Sequence, residues 1–151
     1  MSEYEGEEVR IQRHHAAAKI PTRNGNAAGF DLYSVEGGYL GPNEYRLFDT
    51  GLSFAMPPDF EGQIRPRSGL AATVGITVLN SPGTIDADYR GPIKVLLINH
   101  GRHSYQIIIG DRIAQVVFSR TQTYKPGVRF TPVASLDSTW RGEKGFGSSG
   151  Q

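Results

Sequence analysis

The sequence predicts a single all-β domain with one short helix. Nineteen glycines and nine prolines in 151 residues imply many turns, as in domains built from short strands. Apolar stretches of strand length recur between these turns, and only one segment has the composition of a helix. At 38% hydrophobic residues, a chain of this length can bury the core of one ordinary domain.

The elements follow one another at short spacing. The predicted strands are residues 52–56, 93–99, 105–109, 113–119 and 128–133. Apolar alternation supports the first, and the fourth is predicted to place Ile113, Gln115 and Val117 on one face. The predicted helix spans residues 69–74. Ser68 is predicted as its N-terminal cap, and Gly75 is predicted to end it.

The bulk composition argues against several classes of function. Sixteen basic and fifteen acidic residues give a net charge of +1, which provides no overall attraction to nucleic acid or to a membrane. No apolar run is long enough to span a bilayer. The first eight residues carry four glutamates and no basic residue, unlike a signal or transit peptide. The absence of cysteine fits a cytoplasmic location.

The segment GTIDADYRG, residues 83–91, is the most informative in the chain. It places the carboxylate of Asp86 between apolar Ile85 and a turn, where it could act as a general base on water. The alternative is a turn aspartate that bonds its own backbone. Asp31 could likewise orient metal-bound water, although such a residue more often ends a strand or lies in a turn.

Two further segments could contact an anion. Arg67 and Ser68 stand where the short helix should begin, and free N–H groups at a helix start attract negative charge. The alternative is a plain cap beside a surface arginine. Residues 141–151 contain four glycines, no aliphatic residue and one aromatic, Phe146. This segment is either a docking arm or a disordered tail.

Five segments in order resemble the motifs of the homotrimeric deoxyuridine triphosphate nucleotidohydrolases, or dUTPases. They are AGFDLYS at 28–34, GQIRPRSGLA at 62–71, GTIDADYRG at 83–91, GDRIAQ at 110–115 and RGEKGFGSSG at 141–150. The resemblance covers roughly residues 17–150. It implies a jelly-roll-like β-barrel, a homotrimer with active sites between subunits, and Mg²⁺-dependent hydrolysis of dUTP to dUMP and pyrophosphate.

The resemblance also implies a division of the chain and a set of residue roles. Residues 1–16 would form a tail and first strand region, 17–140 the barrel, and 141–151 a flexible arm that closes over an active site. Asp86 would activate the water, and Asp31 would hold Mg²⁺ through water. The implied substrate-binding residues are Arg67, Ser68, Gly69, Asn80, Gly83, Thr84, Ile85, Tyr89, Lys94, Gln115, Arg141, Phe146, Gly147 and Ser148.

The sequence fits three other interpretations less well. A dCTP deaminase shares the implied fold, but it would need a glutamate base near the nucleobase, where this chain has an aspartate. A non-catalytic nucleotide-binding trimer would be favoured by loss of Asp86, Arg67 or Phe146, and all three are present. A jelly-roll capsid or carbohydrate module would leave five ordered polar motifs unexplained.

Overall fold

Eleven strands and one helix occur in the part of the chain described by this computed structural model, residues 6–144. The strands are β1 (Arg10–Arg13), β2 (Phe30–Tyr33), β3 (Gly38–Leu40), β4 (Tyr45–Asp49), β5 (Leu52–Ala55), β6 (Phe60–Arg65), β7 (Ile76–Val78), β8 (Gly83–Ile85), β9 (Lys94–Asn99), β10 (Tyr105–Ile107) and β11 (Arg112–Arg120). The helix is α1 (Ser68–Val74). The prediction of an all-β chain with one short helix is confirmed.

The strands pair into four antiparallel sheets. A four-stranded sheet has the order β2-β11-β6-β8, and a three-stranded sheet has the order β4-β9-β7. Two ribbons pair β1 with β5 and β10 with β3. Strands distant in sequence are therefore neighbours in space, as in jelly-roll-like folds, where sheets pack face to face over a common core.

The core is built from alternate residues of these short strands. Successive side chains of a strand point to opposite faces, so Val95 and Leu97 of β9 are fully buried together. Phe48 of β4 and Leu32 of β2 are also fully buried. Burial of one such side chain stabilises the fold by about 1.5–3 kcal/mol.

Asn99 is a fully buried polar side chain at the end of β9. Its amide nitrogen donates to the carbonyl oxygens of Leu40 (2.8 Å) and His103 (2.9 Å), and its oxygen accepts from the Gly101 N–H (2.7 Å). One side chain thus supplies partners for three backbone groups and joins the start of the β9–β10 connection to the end of β3.

The helix ends as predicted but begins differently. Gly75 adopts the left-handed conformation at φ 75° and closes the C-terminus with its backbone N–H, as glycine commonly does. Ser68 is already helical, and Arg67 is the N-cap residue, with no side-chain capping bond. The predicted Ser68 cap is therefore wrong, because a cap must lie in the extended residue that precedes the helix. No helix in residues 6–144 is long and apolar enough to cross a membrane.

One predicted strand does not form, and another ends two residues earlier than predicted. Residues 128–133 have no strand structure, and Phe130 is 97% exposed. Apolar composition alone does not make a strand, because the backbone needs a neighbouring edge to bond, and within residues 6–144 no strand pairs with this segment. Strand β10 stops at Ile107, because the Asp111 carboxylate accepts the Ile108 N–H (2.9 Å) and turns the chain.

The predicted face of β11 is also wrong. Ile113 and its neighbour Ala114 are both buried, and burial continues at Val116 rather than at Val117. The pairing of β11 with β2 is irregular between Arg112 and Ala114. Such an irregularity shifts the in–out alternation by one residue, which simple periodicity could not anticipate.

We expect Asn99→Ala to lower the free energy of unfolding by about 3 kcal/mol, because it leaves three backbone groups without their partner. Urea unfolding measures the loss. His103→Ala is the matched control, because it keeps the His103 carbonyl that Asn99 contacts; its effect should stay within about 0.5 kcal/mol. Equal effects of the two substitutions would contradict the role assigned to Asn99.

Candidate active site

A cavity of about 430 Å³, the hairpin cavity, opens beside the bend that links β7 to β8. Its apolar wall comes from several strands and its polar groups come mostly from the segment 80–89. The lining residues are Leu47, Ile64, Asn80, Gly83, Thr84, Ile85, Asp86, Tyr89, Pro92, Ile93 and Lys94. A small, partly apolar cavity with a few converging polar groups is the usual form of a ligand site.

β7 and β8 belong to two different sheets, so the bend between them is held on both sides. β7 pairs with β9, and β8 pairs with β6, where Gly83 lies opposite Ile64. Gly83 is buried, and a Cβ atom there would lie 3.2 Å from the Asn80 side-chain nitrogen. A larger residue would therefore press on Asn80, so glycine preserves the shape of this end of the cavity.

Asp86 follows β8 directly and is exposed. Its backbone carbonyl accepts the Tyr89 N–H (3.1 Å), which forms the turn. In residues 6–144, no side chain forms an ion pair or hydrogen bond with its carboxylate. Asp86 also borders a larger groove of about 990 Å³, which is lined by Arg90 and Arg120 among others. Asp86 therefore borders two cavities.

Tyr89 lies against the backbone that follows this turn. Its hydroxyl donates to the carbonyl oxygen of Pro92 (3.1 Å). A Cβ atom on Gly91 would lie 2.4 Å from that hydroxyl oxygen, so only glycine leaves room for the ring in this position. Tyr89 is 45% exposed and borders the cavity, where its ring could stack on a flat or puckered ring of a ligand.

A second polar cluster lies at the other end of the four-stranded sheet. Asp31 pairs with two arginines: Arg67 Nε lies 3.3 Å from its Oδ1, and Arg112 Nη1 lies 3.4 Å from its Oδ2. Gln115 is the register partner of Asp31 and donates to the Pro66 carbonyl (3.0 Å). Two guanidinium groups share the Asp31 carboxylate here, and Asp111 lines the same small cavity. The directional N–H donors of the arginines, rather than a net positive charge, suit this cluster to an anion.

Ser68 and Gly69 are exposed in the first turn of α1, next to Arg67. Nothing lies within 4 Å of the place where a Gly69 Cβ would stand, so a ligand could approach this backbone closely. The first turn contains no acidic residue that would oppose an anion.

The predicted site residues therefore form two groups in one chain. The hairpin cavity contains Asn80, Gly83, Thr84, Ile85, Asp86, Tyr89 and Lys94. The cluster contains Asp31, Arg67 and Gln115, with Ser68 and Gly69 beside it. A small cavity at the cluster, about 160 Å³, shares no lining residue with the hairpin cavity.

The predicted arm residues lie apart from both groups or outside the described part. Arg141 Nε donates to the carbonyl oxygen of Lys144 (3.0 Å), within its own turn. Phe146, Gly147 and Ser148 fall outside residues 6–144.

The comparisons with known proteins agree on one family. A dUTPase family model matches residues 16–150. The chain belongs to the dUTPase family. It is 50% identical to the deoxyuridine 5'-triphosphate nucleotidohydrolase of Wolinella succinogenes, over 100% of this chain and 99% of the relative. It is also 50% identical to the enzyme of the same name from Helicobacter hepaticus, over 94% of this chain and 88% of the relative.

Solved structures agree with the sequence relatives. The dUTPase of Staphylococcus bacteriophage 80alpha with dUPNHPP superposes with a TM-score of 0.87 at 27% identity, covering 95% of this chain and 99% of that one. Its G164S mutant with dUpNHpp gives 0.86 at 26%, with the same coverage. The family resemblance of the five motifs is confirmed, and by family the chain is an enzyme, a dUTP diphosphatase.

Several residues of the hairpin cavity and of the polar cluster were not predicted from the sequence. Arg112 pairs with Asp31, and its position inside the GDRIAQ segment was the available signal. Leu47 and Ile93 form part of the cavity wall, but they come from outside the motifs and carried no signal.

We expect Asp31→Asn to lower the free energy of unfolding by no more than about 1 kcal/mol, because its ion pairs are partly exposed and screened by water. Urea unfolding at low and high salt measures this, and the loss should shrink with salt. Asp88→Asn, an exposed aspartate outside the cluster, is the control. A loss well above this limit would show that Asp31 is mainly a structural residue.

Proposed function

We propose that this chain hydrolyses dUTP to dUMP and pyrophosphate, at sites that form between the subunits of a homotrimer. The observation that carries the proposal is the hairpin cavity, where Asp86 and Tyr89 border a space of about 430 Å³, within the range of small-molecule sites. The names of the relatives support the substrate. The separation of the two groups within one chain supports sites shared between subunits, since a second copy could bring its cluster to this cavity.

The hairpin cavity is proposed to hold the uracil and deoxyribose. Asn80 and the backbone of residues 83–85 provide donors and acceptors for the base edge, and the buried side chains of Ile64 and Ile85 narrow the space. If the 5-position of the pyrimidine faces these packed side chains, a methyl group there would have to displace them, which would disfavour thymine. Tyr89 would stack on the deoxyribose and crowd a 2′-hydroxyl.

The cluster is proposed to hold the triphosphate. Arg67 offers a guanidinium with several donors, Ser68 and Gly69 offer the start of α1, and Gln115 offers an amide. Charge-assisted bonds from arginine to phosphate are among the stronger hydrogen bonds in proteins. Because the net charge of the chain is only +1, this local concentration of donors must provide the attraction.

The residues of the cluster also fit a magnesium ion. Mg²⁺ usually keeps several waters and binds one or two carboxylates together with substrate phosphates. Asp31 offers one carboxylate, and in residues 6–144 no three His, Cys, Asp or Glu side chains form a cage of their own. Asp31 would therefore hold the ion through water. When bound, Mg²⁺ offsets phosphate charge and helps to orient the triphosphate.

The proposed chemistry is attack of water on the α-phosphorus. Asp86 accepts a proton as the water oxygen forms its bond to phosphorus, the bond to the bridging oxygen breaks, and pyrophosphate leaves with that electron pair. A positioned base typically contributes about 10²–10⁴-fold to such a rate. Arg67 and Gln115 of a neighbouring subunit would hold the phosphates in line with the water.

The C-terminal segment is proposed to close over the site from a neighbouring subunit. Phe146 would cover the uracil, while Arg141 and Ser148 would contact the terminal phosphate, with Gly147 allowing the backbone to pass closely. Closure would exclude bulk water from the reacting centre. In the cell, the reaction would keep uracil out of DNA and supply dUMP for thymidylate synthesis.

The proposed activity is tested by incubating the pure protein with Mg²⁺ and, separately, dUTP, dCTP, dTTP and UTP. We expect dUTP alone to yield dUMP and pyrophosphate, resolved by chromatography. Asp86→Asn should lose at least about 10²-fold in kcat, because a positioned base is removed, while it still binds a non-hydrolysable dUTP analogue.

Asp88→Asn is the matched control on the same turn and should retain activity. Ammonia release from dCTP would instead indicate a deaminase, and nucleotide binding without turnover would indicate a binding module. Wild-type turnover by Asp86→Asn would refute its role as the base.

Deletion of residues 141–151 tests arm closure. We expect the truncated protein to remain a folded trimer by light scattering and to lose most of its dUTP turnover, because solvent is no longer excluded. Deletion of residues 1–5 at the opposite terminus is the control. Full activity of the C-terminally truncated protein would remove the arm from the mechanism.

A further inference from the structure

The turn that carries Asp86 and Tyr89 is held at its far end by strand β5. Ser53 Oγ donates to the Gly91 carbonyl oxygen (2.8 Å). Just beyond, the Ile93 N–H donates to the Leu52 carbonyl (2.7 Å), and Thr50 Oγ1 donates to the Ile93 carbonyl (2.7 Å). At its near end, the turn continues from β8, which is paired with β6.

The Ser53–Gly91 bond has a particular place among these contacts. Within the described part of the chain, it is the only hydrogen bond between residues 87–91 and any distant residue. The other bonds of this stretch are local, such as those from the Arg90 guanidinium to the carbonyls of Ala87 (2.6 Å) and Tyr89 (3.1 Å). Within residues 87–91, Ser53 therefore holds the backbone to the rest of the domain, and Leu52 and Thr50 hold it again two residues further on, at Ile93.

His14 completes this contact. Its Nε2 lies 2.7 Å from Ser53 Oγ. A hydroxyl has one proton, and a carbonyl can only accept, so Ser53 donates to Gly91 and must accept from a protonated His14 Nε2. The His14 backbone N–H also donates to Gly51 (2.8 Å), which fixes the chain where it leaves β1. The three residues thus form a series of hydrogen bonds in which His14 donates to Ser53 and Ser53 donates to Gly91.

This series of contacts leads from Gly91 to Tyr89. The Tyr89 ring occupies the space that a Gly91 side chain would fill, and its hydroxyl bonds the Pro92 carbonyl (3.1 Å). A shift of the Gly91 backbone would move both the surface on which the ring rests and the neighbouring acceptor. Ser53 itself is only 6% exposed and does not line the hairpin cavity, so any effect on the site must be transmitted through the backbone.

We propose that His14 and Ser53 are positioning residues that fix the Tyr89 ring through Gly91 and so set the preference for deoxyribose over ribose. This inference rests on the proposed function, in which Tyr89 stacks on the sugar. Neither residue touches the substrate. His14 acts by orienting the Ser53 hydroxyl toward Gly91, and Ser53 acts by holding the carbonyl.

The test compares His14→Leu, Ser53→Ala, the double variant and His14→Gln, whose side-chain amide can donate to Ser53. We expect His14→Leu and Ser53→Ala to raise the KM for dUTP by about 3- to 10-fold, the range that one net hydrogen bond supplies. The ratio of kcat/KM for dUTP to that for UTP should fall, and kcat should change less. His14→Gln should restore the ratio to within about 2-fold, again within the range of one such bond.

Two features separate this role from general destabilisation. Loss of folded protein would lower the rates for dUTP and UTP together and leave their ratio unchanged. Because Ser53 acts downstream of His14, the double variant should resemble Ser53→Ala, with non-additive effects. His15→Leu is the control, since His15 is the adjacent histidine and, within residues 6–144, its side chain bonds only the local Ala17 N–H (3.1 Å).

Hydrogen exchange of the peptide covering residues 86–93, followed by mass spectrometry, tests the same contact without any activity. Faster exchange in His14→Leu and Ser53→Ala, but not in His14→Gln or His15→Leu, supports the inference. Unchanged exchange in Ser53→Ala, or an unchanged dUTP-to-UTP ratio in an active enzyme, overturns it. Wild-type protein that fails to hydrolyse dUTP refutes the proposed function, and the exchange result then decides the positioning role alone.

Discussion

The double pairing of β11 is the constraint on which both polar groups depend. This strand bonds to β2 on one side and to β6 on the other, so Gln115 lies opposite Asp31 and also opposite Arg65. Because side chains alternate between faces, a shift of one residue would move every side chain of the strand to the wrong face. The register of β11 therefore brings Asp31, Gln115 and the start of α1 to one end of the sheet. On its other side, β6 pairs with β8, whose residues line the hairpin cavity.

Charge in this protein is local rather than global. The chain as a whole is almost neutral at +1, yet two arginines converge on the single carboxylate of Asp31. Because these groups are only partly buried, the attraction between them is modest. Each guanidinium group has five N–H donors, so donors are left for a further ligand. This arrangement holds the arginines in place before an anion arrives, which lowers the ordering cost of binding.

Close approach of backbone to side chain shapes the hairpin cavity. At Gly83 any larger residue would press on Asn80, and at Gly91 it would take the place of the Tyr89 ring. These glycines adopt no left-handed conformation; their role is the absence of a side chain. Ser53 and Thr50 of the neighbouring strand region then anchor the chain beyond the turn. The polar groups of the site are thus carried on a turn whose two ends are fixed by different sheets.

The sequence alone determined the class of fold, the short helix and its end at Gly75, and the motifs that identify the family. These features are local, since turn residues, strand-length apolar runs and a glycine C-cap act within a few positions. Only the tertiary structure decided that residues 128–133 form no strand, because pairing needs a partner edge. Only the tertiary structure also showed the contacts of Arg112 with Asp31 and of His14 with Ser53. These contacts join residues separated by 81 and 39 positions, so no local sequence pattern encodes them.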